Sequence, residues 1–485
     1  MTPIEGTLRN YSTLWTVLLV VVVAILGSLF IIISSTALHP VQVLLIFLIG
    51  LGGLVIFYYL RKDLILAIYY WIILLWPYLG FTIANHPIKT SYLGIPVLCF
   101  VILINMFVRN LRTKVYLHPI FTLSLLYTMI ILISTFINLN YVTSATYSFL
   151  GLWILGFAFF TLYLGYISTF NEKKIISLAE NTLYVFVWIG LIAVIVAVLE
   201  YWWPVEIHEF YNPRVGEESW GSRGGIQWFI DLKRTGSIIG APNAFGMFLV
   251  MTSIIAWYRW KLDKNPLFLG IIPIYFASIF LFSNARQSII TFWLIFMLIS
   301  LYEKKYIHGF FLSVVVASVF IITKPFMIAL MKAGKHYINN PYGIGPNIPI
   351  LGERASIWAA VLYTLIVSPI HILFGYGVSN NIMLLQIGKQ TAHNIFLTAF
   401  HFSGIPGLVL LSMIIISLLR QTKRLLTYGI TKPFLYSFYF ITIAMLLSGL
   451  VDSIFFFNPL ITWVIFPLIA CLIKLDSLAK QEYKE

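Results

Sequence analysis

The chain has 485 residues, of which 60% are hydrophobic and only 10% are charged, and its mean hydropathy is +0.94. No water-soluble fold needs that much apolar surface, and the apolar runs do not alternate as β-barrel strands do, so the composition predicts an all-α polytopic membrane protein. The net charge of +14 does not indicate a nucleic-acid partner, because most lysines and arginines lie in short loops between the apolar runs. Basic residues in such loops mark the cytoplasmic side of a membrane protein.

Continuous apolar stretches predict about fourteen transmembrane helices. The first stretch is long enough to span a membrane, so we expect no cleavable signal peptide. Cys99 and Cys471 both lie inside apolar stretches and predict neither a disulfide nor a metal motif. The predicted spans are 14–34, 41–60, 63–82, 91–108, 118–138, 147–168, 182–201, 237–257, 266–283, 288–302, 306–323, 395–419, 434–452 and 457–473.

Alternate threading of these spans with the N-terminus inside puts the basic short loops and both termini in the cytoplasm. Two of the outer loops are long. The predicted regions are N-terminal transmembrane helices in 1–201, a first outer loop in 202–236, further transmembrane helices in 237–323, a large extracytoplasmic loop in 324–394, and C-terminal transmembrane helices with a cytoplasmic tail in 395–485.

The large outer loop has structure of its own. Gly334–Pro349 is rich in turn residues, whereas Leu351–Ser368 has helical propensity and an apolar body that stops at Pro369. Because this helix is polar at its start, we expect it to lie on the outer membrane face. A fifteenth span over the same residues is the alternative.

Arg234, Arg286, Arg354 and His393 are unusual because they lie in the outer half of the predicted topology. The spans that follow Arg234, Arg286 and His393 run inward, so their N-termini, with unpaired N–H groups, face outward. Arginine beside such a terminus favours a phosphate or diphosphate, since its guanidinium pairs with phosphate oxygens. The alternative is that the arginines are interfacial anchors or snorkel to the membrane surface.

His393 is the candidate general base. A helix N-terminus and nearby arginines lower the pKa of an imidazole and keep it neutral, which is the state that accepts a proton. A packed polar residue is the alternative role, and it is the role that we expect for His401; His371 is also a weaker candidate. The outer acidic residues form no cluster with metal-ligand spacing, and no serine-nucleophile motif is present.

With these residues the chain resembles the O-antigen ligase/polymerase superfamily, the Wzy and WaaL type of bacterial glycan-assembling membrane enzymes. The resemblance covers about residues 234–407, and the order of the motifs and the large outer loop also match. The matching stretches are Arg234–Gly246, Ser283–Ser288, Arg354–Trp358 with Phe374–Asn380, and Ala392–Leu397 with Gly404 and Gly407.

The resemblance implies a GT-C-like enzyme that transfers a glycan from undecaprenyl diphosphate on the outer face of the bacterial cytoplasmic membrane, without metal or cofactor. By analogy, Arg286, Arg354 and Arg234 hold the diphosphate. His393 takes the proton of the acceptor hydroxyl, steadied by Asn394. The remaining substrate-binding residues that the motifs imply are Asn243, Gly377 and Asn380.

The acceptor defines two forms of this activity. A polymerase uses a second lipid-linked repeat, and a ligase uses lipid A core, a wall polymer or a protein. We favour the polymerase, whose implied partners include membrane lipid, a flippase and a chain-length regulator. A different class, a flippase for lipid-linked oligosaccharides, predicts charged residues near mid-membrane, whereas here the polar residues gather at the outer edge. A non-enzymatic scaffold leaves the outer arginines unexplained.

Overall fold

A computed structural model describes most of the helical part of the chain. The described residues are 65–66, 69–70, 80–83, 86–108, 118–139, 144–202, 242–283, 285–307, 309, 313–315, 318, 354–378, 394–428, 433–450 and 459–482. The chain divides into two compact units. Unit 1 comprises Met1–Leu111, Tyr184–Phe245 and Leu281–Asn284, and unit 2 comprises Arg112–Leu183, Gly246–Phe280 and Ala285–Glu485.

The described elements are nearly all helices, as the composition predicts. In chain order they are β1 (Gly80–Ile83), β2 (His86–Lys89), α1 (Thr90–Val108), α2 (Pro119–Ile137), α3 (Ser144–Ile167), α4 (Glu172–Trp202), α5 (Pro242–Asp263), α6 (Pro266–Ser278), continued by a π-helical turn (Ile279–Ser283), α7 (Arg286–Tyr302), α8 (Arg354–Val367), α9 (Pro369–Phe374), α10 (Ile395–Thr427), α11 (Pro433–Gly449) and α12 (Pro459–Glu482).

The exception to the all-α prediction is a hairpin in unit 1. Strands β1 and β2 pair antiparallel, with Gly80 opposite Lys89 and Ile83 opposite His86. The third predicted span was expected to remain helical to residue 82. Pro77 and Gly80 weaken helix formation there, and the β-branched Thr82, Ile83 and Ile88 favour strands.

Among the described residues, four helices are long and apolar enough to cross a membrane: α2, α4, α6 with its π-helical turn, and α10. Helix α2 also exposes Met129, Ile133 and Phe136, which are 50%, 51% and 70% accessible, as expected of a lipid-facing surface. The chain is therefore a helical membrane protein. The count of fourteen spans remains a prediction, because 14–34, 41–60 and most of 63–82 and 306–323 lie outside the described residues.

Proline fixes several helix starts at the predicted positions. Helices α2 and α6 both carry proline in their first turn, where its missing N–H costs no helical hydrogen bond. The preceding residues cap these helices: His118 Nδ1 accepts from Ile120 N at 3.2 Å, and Asn265 Oδ1 accepts from Leu267 N at 3.0 Å. Local sequence therefore determines these boundaries.

Unit 2 is a bundle in which α2 packs along α10, α3 along α12, and α11 against both α10 and α7.

A buried ionic cluster joins three of these helix ends. The Asp476 carboxylate, fully buried in α12, accepts hydrogen bonds from His118 Nε2 at 3.2 Å and Lys480 Nζ at 2.8 Å, and pairs with Arg424. Burial raises the pKa of Asp476, but the hydrogen bonds from His118, Lys480 and Arg424 outweigh it and hold the pKa well below its usual range.

Candidate functional site

Helix α10 is broken at Gly404, which has φ 63° and ψ −163°. Residue 406 is proline, so no backbone N–H exists to bond the carbonyl of Phe402 four residues earlier. The break divides α10 into a crossing segment, residues 394–403, and a long arm, residues 405–427. The predicted span 395–419 is thus one apolar run in sequence but two helices in structure.

The crossing segment turns away from the direction of the long arm. In a straight helix, Ile395 and Leu411 would be about 24 Å apart. Instead, both line one cavity with Met445 and Leu446 of α11, and a Cβ added to Gly449 would lie 2.9 Å from Ile395 Cγ2. The segment therefore runs across unit 2, from the end of α11 toward the end of α2.

The cavity beside the crossing segment is apolar. Its volume is about 120 Å³, and its walls come from α2, α3, α10, α11 and α12. Trp153 Nε1 uses its hydrogen bond on Thr128 Oγ1 at 3.3 Å. None of the residues that line this cavity is charged, so we exclude the cavity as the binding site of a diphosphate.

The Gly-Tyr-Gly turn at Gly375–Gly377 packs directly on the break. The N–H of Tyr376 donates to the carbonyl oxygen of His401 at 2.7 Å, and the N–H of Gly377 donates to that of Phe402 at 3.0 Å. These are the two carbonyls that lose their helical partners at Gly404 and Pro406. The turn thus satisfies the backbone of the broken helix, a requirement in a membrane environment.

The turn is also attached to α2. Val378 N donates to Thr135 Oγ1 at 3.1 Å, and Asn138 Nδ2 donates to the carbonyl oxygen of Gly375 at 3.3 Å. Gly375 and Gly377 both have φ of 67°, a conformation in which a side chain is strained. We call residues 375–378 the docking turn.

Two histidines and a tyrosine stack beside the docking turn. The ring of Tyr376 lies 3.7 Å from that of His371 and 5.2 Å from that of His401. His401 is 1% exposed, and neither of its ring nitrogens has a hydrogen-bond partner among the described residues. An imidazole without partners is unusual in a buried position, where unpaired polar groups are costly.

The hydrogen bonds of His371 determine its tautomer. Because Asn138 Nδ2 donates to two carbonyls, its Oδ1 is the acceptor, so His371 Nε2 carries the proton of their 3.1 Å bond. The other ring nitrogen, Nδ1, lies 2.7 Å from Ser368 Oγ and accepts from it. Desolvation by burial lowers the pKa of His371, which favours this neutral form.

Helix α8 confirms the helix predicted over Leu351–Ser368, and it ends before Pro369 as expected. With 14 residues it is about 21 Å long, which is shorter than a span. Its buried residues Ile357, Val361 and Leu365 pack with Tyr376, and Leu397 and Phe400 of the crossing segment lie against this cluster. The helix that starts at Arg354 and the segment that follows His393 are therefore neighbours.

Four of the five predicted site residues that the structure describes lie at the starts of helices, and the fifth, Gly377, lies in the docking turn. Arg286 is the first residue of α7 and Arg354 the first of α8, while their side chains are outside the described part. Asn243 is the second residue of α5, and the start of α5 contacts the turn before α7 through Ser283 Oγ, which donates to the carbonyl oxygen of Pro242 at 2.7 Å. Arg234, Asn380 and His393 lie outside the described residues.

Asn394 and Gly377 have structural roles in addition to the predicted ones. Asn394 is the N-cap of α10: its Oδ1 accepts from Phe396 N at 2.9 Å and Leu397 N at 3.0 Å, and its Nδ2 donates to the carbonyl oxygen of Leu450 at 2.8 Å. Its predicted role of steadying His393 stays a prediction, because His393 lies outside the described residues. Gly377 is buried against α2, and its predicted role in substrate binding also stays a prediction.

The described part of the chain contains no group of three or more His, Cys, Asp or Glu residues that could hold a metal ion. Sequence reasoning missed both the ionic cluster and the break. Asp476 and Lys480 were detectable as an i, i+4 pair, and Gly404 followed by Pro406 was detectable as a helix-breaking pair. The partners of Asp476 on two other helices required the fold.

Comparison with known proteins finds no protein-family model that matches this chain and no curated protein significantly similar to it.

Proposed function

We propose that the chain is a polysaccharide polymerase of the O-antigen ligase/polymerase type. It joins undecaprenyl-diphosphate-linked oligosaccharide repeat units by metal-independent, inverting glycosyl transfer on the outer face of the bacterial cytoplasmic membrane. One observation carries the proposal: Arg286, Arg354 and the residue after His393 each mark the start of a helix. These are the positions that the sequence motifs select.

Helix starts suit the charge that develops in this reaction. The diphosphate leaving group gains negative charge in the transition state, and unpaired N–H groups with a neighbouring guanidinium stabilise it. The contact between α8 and the crossing segment supports a shared site for Arg354 and His393. We place Arg234 and Asn243 in this site because the sequence motifs include them.

The bonding changes balance without a metal or cofactor. An acceptor hydroxyl oxygen attacks the anomeric carbon from the face opposite the diphosphate, and its proton passes to the imidazole of His393. The new glycosidic C–O bond forms as the bond to the diphosphate oxygen breaks, and undecaprenyl diphosphate leaves with the electron pair. Direct displacement inverts the anomeric centre.

Two sets of polar contacts support the proposed topology. Asp476 contacts His118 and Arg424, which lie near the ends of two other helices. The alternate threading assigns all three residues to the cytoplasmic side. Lys261 likewise pairs with Glu303, another pair of helix ends that the threading assigns to that side. Ends assigned to one side of the membrane thus meet in both cases.

One observation favours the flippase alternative. Transporters commonly bind cargo at broken helices, and ionisable residues within spans often mark a transport path. Helix α10 is broken at Gly404 and carries the buried, unpartnered His401 three residues earlier. A flippase moves the lipid-linked glycan between leaflets and makes no glycosidic bond.

The test is incubation of the purified chain with one lipid-linked repeat unit in detergent, with a chelator present. The proposal predicts a ladder of longer glycans and released undecaprenyl diphosphate, and no ladder from His393→Ala at equal protein level. Transfer only to an added, different acceptor identifies a ligase. After reconstitution of the chain into vesicles, movement of the glycan lipid between leaflets without chemistry identifies a flippase. A strict requirement for a divalent ion contradicts the mechanism.

A further inference from the structure

The crossing segment, residues 394–403, is fixed at both of its ends. At its start, Asn394 Nδ2 donates to the carbonyl oxygen of Leu450 at 2.8 Å, and Ile395 packs on Gly449. At its end, the carbonyls of His401 and Phe402 accept the two backbone hydrogen bonds of the docking turn. The residue immediately before this segment is His393, the proposed base.

The docking turn has little freedom to shift. A Cβ added to Gly375 would lie 2.5 Å from Ser403 N, and one added to Gly377 would lie 2.4 Å from Thr135 Cα. Both close approaches are to backbone atoms, which cannot rotate away as a side chain can. The turn therefore transmits the position of α2 to the crossing segment.

Thr135 is the side chain that anchors the turn most directly. Its hydroxyl donates to the carbonyl oxygen of Ile131 at 2.7 Å and accepts from Val378 N at 3.1 Å, so both of its hydrogen-bonding functions are used. Thr135 is 3% exposed and Val378 is 1% exposed. Without the hydroxyl, water is poorly placed to bond the Val378 N–H, which raises the free energy of the docked turn.

We infer that Thr135, acting through the docking turn, is a positioning residue for the base at His393. This inference rests on the proposed function. Helix α8 packs on both Tyr376 of the turn and the crossing segment. Thr135 is buried, and no direct contact with substrate or base is proposed for it.

Positioning of this kind matters for rate more than for binding. A general base must lie within hydrogen-bond distance of the hydroxyl proton, and a displacement of about 1 Å can cost about 100-fold in rate. Arg286, at the start of α7, is proposed to hold the donor diphosphate, and the hydrogen bonds of Thr135 to Ile131 and Val378 do not involve α7. Loss of the anchor should therefore lower kcat and leave the KM for the donor nearly unchanged.

The test compares Thr135→Val, which keeps the shape but loses the hydroxyl, with Thr135→Ser, which keeps the hydroxyl. Thr161→Val is the matched control, because the hydroxyl of Thr161 bonds the Phe157 carbonyl within its own helix. The readouts are kcat and KM on the lipid-linked repeat, and hydrogen–deuterium exchange of the amides of residues 395–403.

We expect Thr135→Val to lower kcat by about 10- to 100-fold, with the donor KM within about twofold of wild type. Exchange should be faster across the crossing segment in this variant, while Thr135→Ser and Thr161→Val stay close to wild type. A wild-type kcat in Thr135→Val despite faster exchange overturns the inference, as does an equal loss in Thr161→Val.

If Thr135→Val does not fold, Asn138→Leu removes the second anchor, the hydrogen bond to the Gly375 carbonyl, and is judged by the same criteria.

The two proposals fail in different ways. If the wild-type chain does not extend the lipid-linked repeat, the proposed function is wrong and the inference falls with it. If wild type extends the repeat and both anchor variants equal it, only the positioning role is wrong.

Discussion

Asp476 illustrates how a single buried carboxylate joins three helices. Its folded-state pKa is depressed by His118, Lys480 and Arg424 despite burial. A depressed carboxylate pKa contributes stability that is present above the unfolded-state value of about 4 and is lost as the pH falls through the folded-state pKa. The cluster therefore stabilises the bundle at neutral pH and loses this effect in strong acid.

We expect Asp476→Asn to lower the free energy of unfolding by about 2 kcal/mol at pH 7, because the buried side chain loses its charge and the hydrogen bonds that its carboxylate accepts from His118, Lys480 and Arg424. The difference from wild type should shrink as the pH falls below about 4. Thermal unfolding in detergent at several pH values measures both effects. Asp263→Asn is the control: its ion pair with Arg259 is one-third exposed and should contribute less than about 1 kcal/mol. Equal effects of the two variants would contradict this role for the cluster.

Arg286 tests whether the outer arginines grip a diphosphate or only anchor the helix. Lysine keeps the charge but loses the planar guanidinium that pairs with two phosphate oxygens. We expect Arg286→Lys to lower donor turnover by about 10- to 100-fold, measured as release of undecaprenyl diphosphate. Arg259→Lys should keep wild-type turnover, because Arg259 pairs with Asp263 at the end of α5 that the threading assigns to the cytoplasmic side. Unchanged turnover in Arg286→Lys would make Arg286 a simple anchor.

Sequence patterns predicted residue positions well and residue partners poorly. Arg286 and Arg354 begin helices as expected, because each lies at the polar edge of an apolar run. The stack of His371, Tyr376 and His401 was not foreseen, since it joins residues from α9, the docking turn and the crossing segment. Such contacts depend on how elements pack, which no local pattern encodes.

At the scale of elements, the break in α10 is the main departure from the sequence prediction. Apolar runs predicted 395–419 as one span because glycine and proline barely change hydropathy. The backbone at Gly404 and the missing N–H of Pro406 nevertheless end the helix there. Periodicity and hydropathy therefore locate spans but do not reveal interruptions within them.

Gly404→Ala tests whether this break is required. Gly404 has φ 63°, and an added Cβ would lie 2.3 Å from the Leu373 carbonyl oxygen, so we expect a loss of at least about 2 kcal/mol in stability. Gly270→Ala is the matched control, since an added Cβ there meets nothing within 4 Å and should gain about 0.5–1 kcal/mol from helix propensity. Thermal unfolding compares the two. Tolerance of alanine at residue 404 would mean that the helix can be continuous.

At the scale of the whole molecule, composition alone was enough to predict a helical membrane protein, and four helices of spanning length bear this out. The number of spans, their orientation and the reaction depend on signals spread over the chain. The proposed catalytic site combines three helix starts that are separated by 107 residues of sequence, from Arg286 to His393. The central proposal is that these three helix starts form one site.

A cryo-electron microscopy structure of the chain with undecaprenyl diphosphate bound tests this claim most directly. We expect the guanidinium groups of Arg286 and Arg354 to contact the diphosphate at about 3 Å, with the imidazole of His393 in the same outward-facing cavity. A diphosphate bound elsewhere, or these three residues on opposite sides of the bilayer, would contradict it.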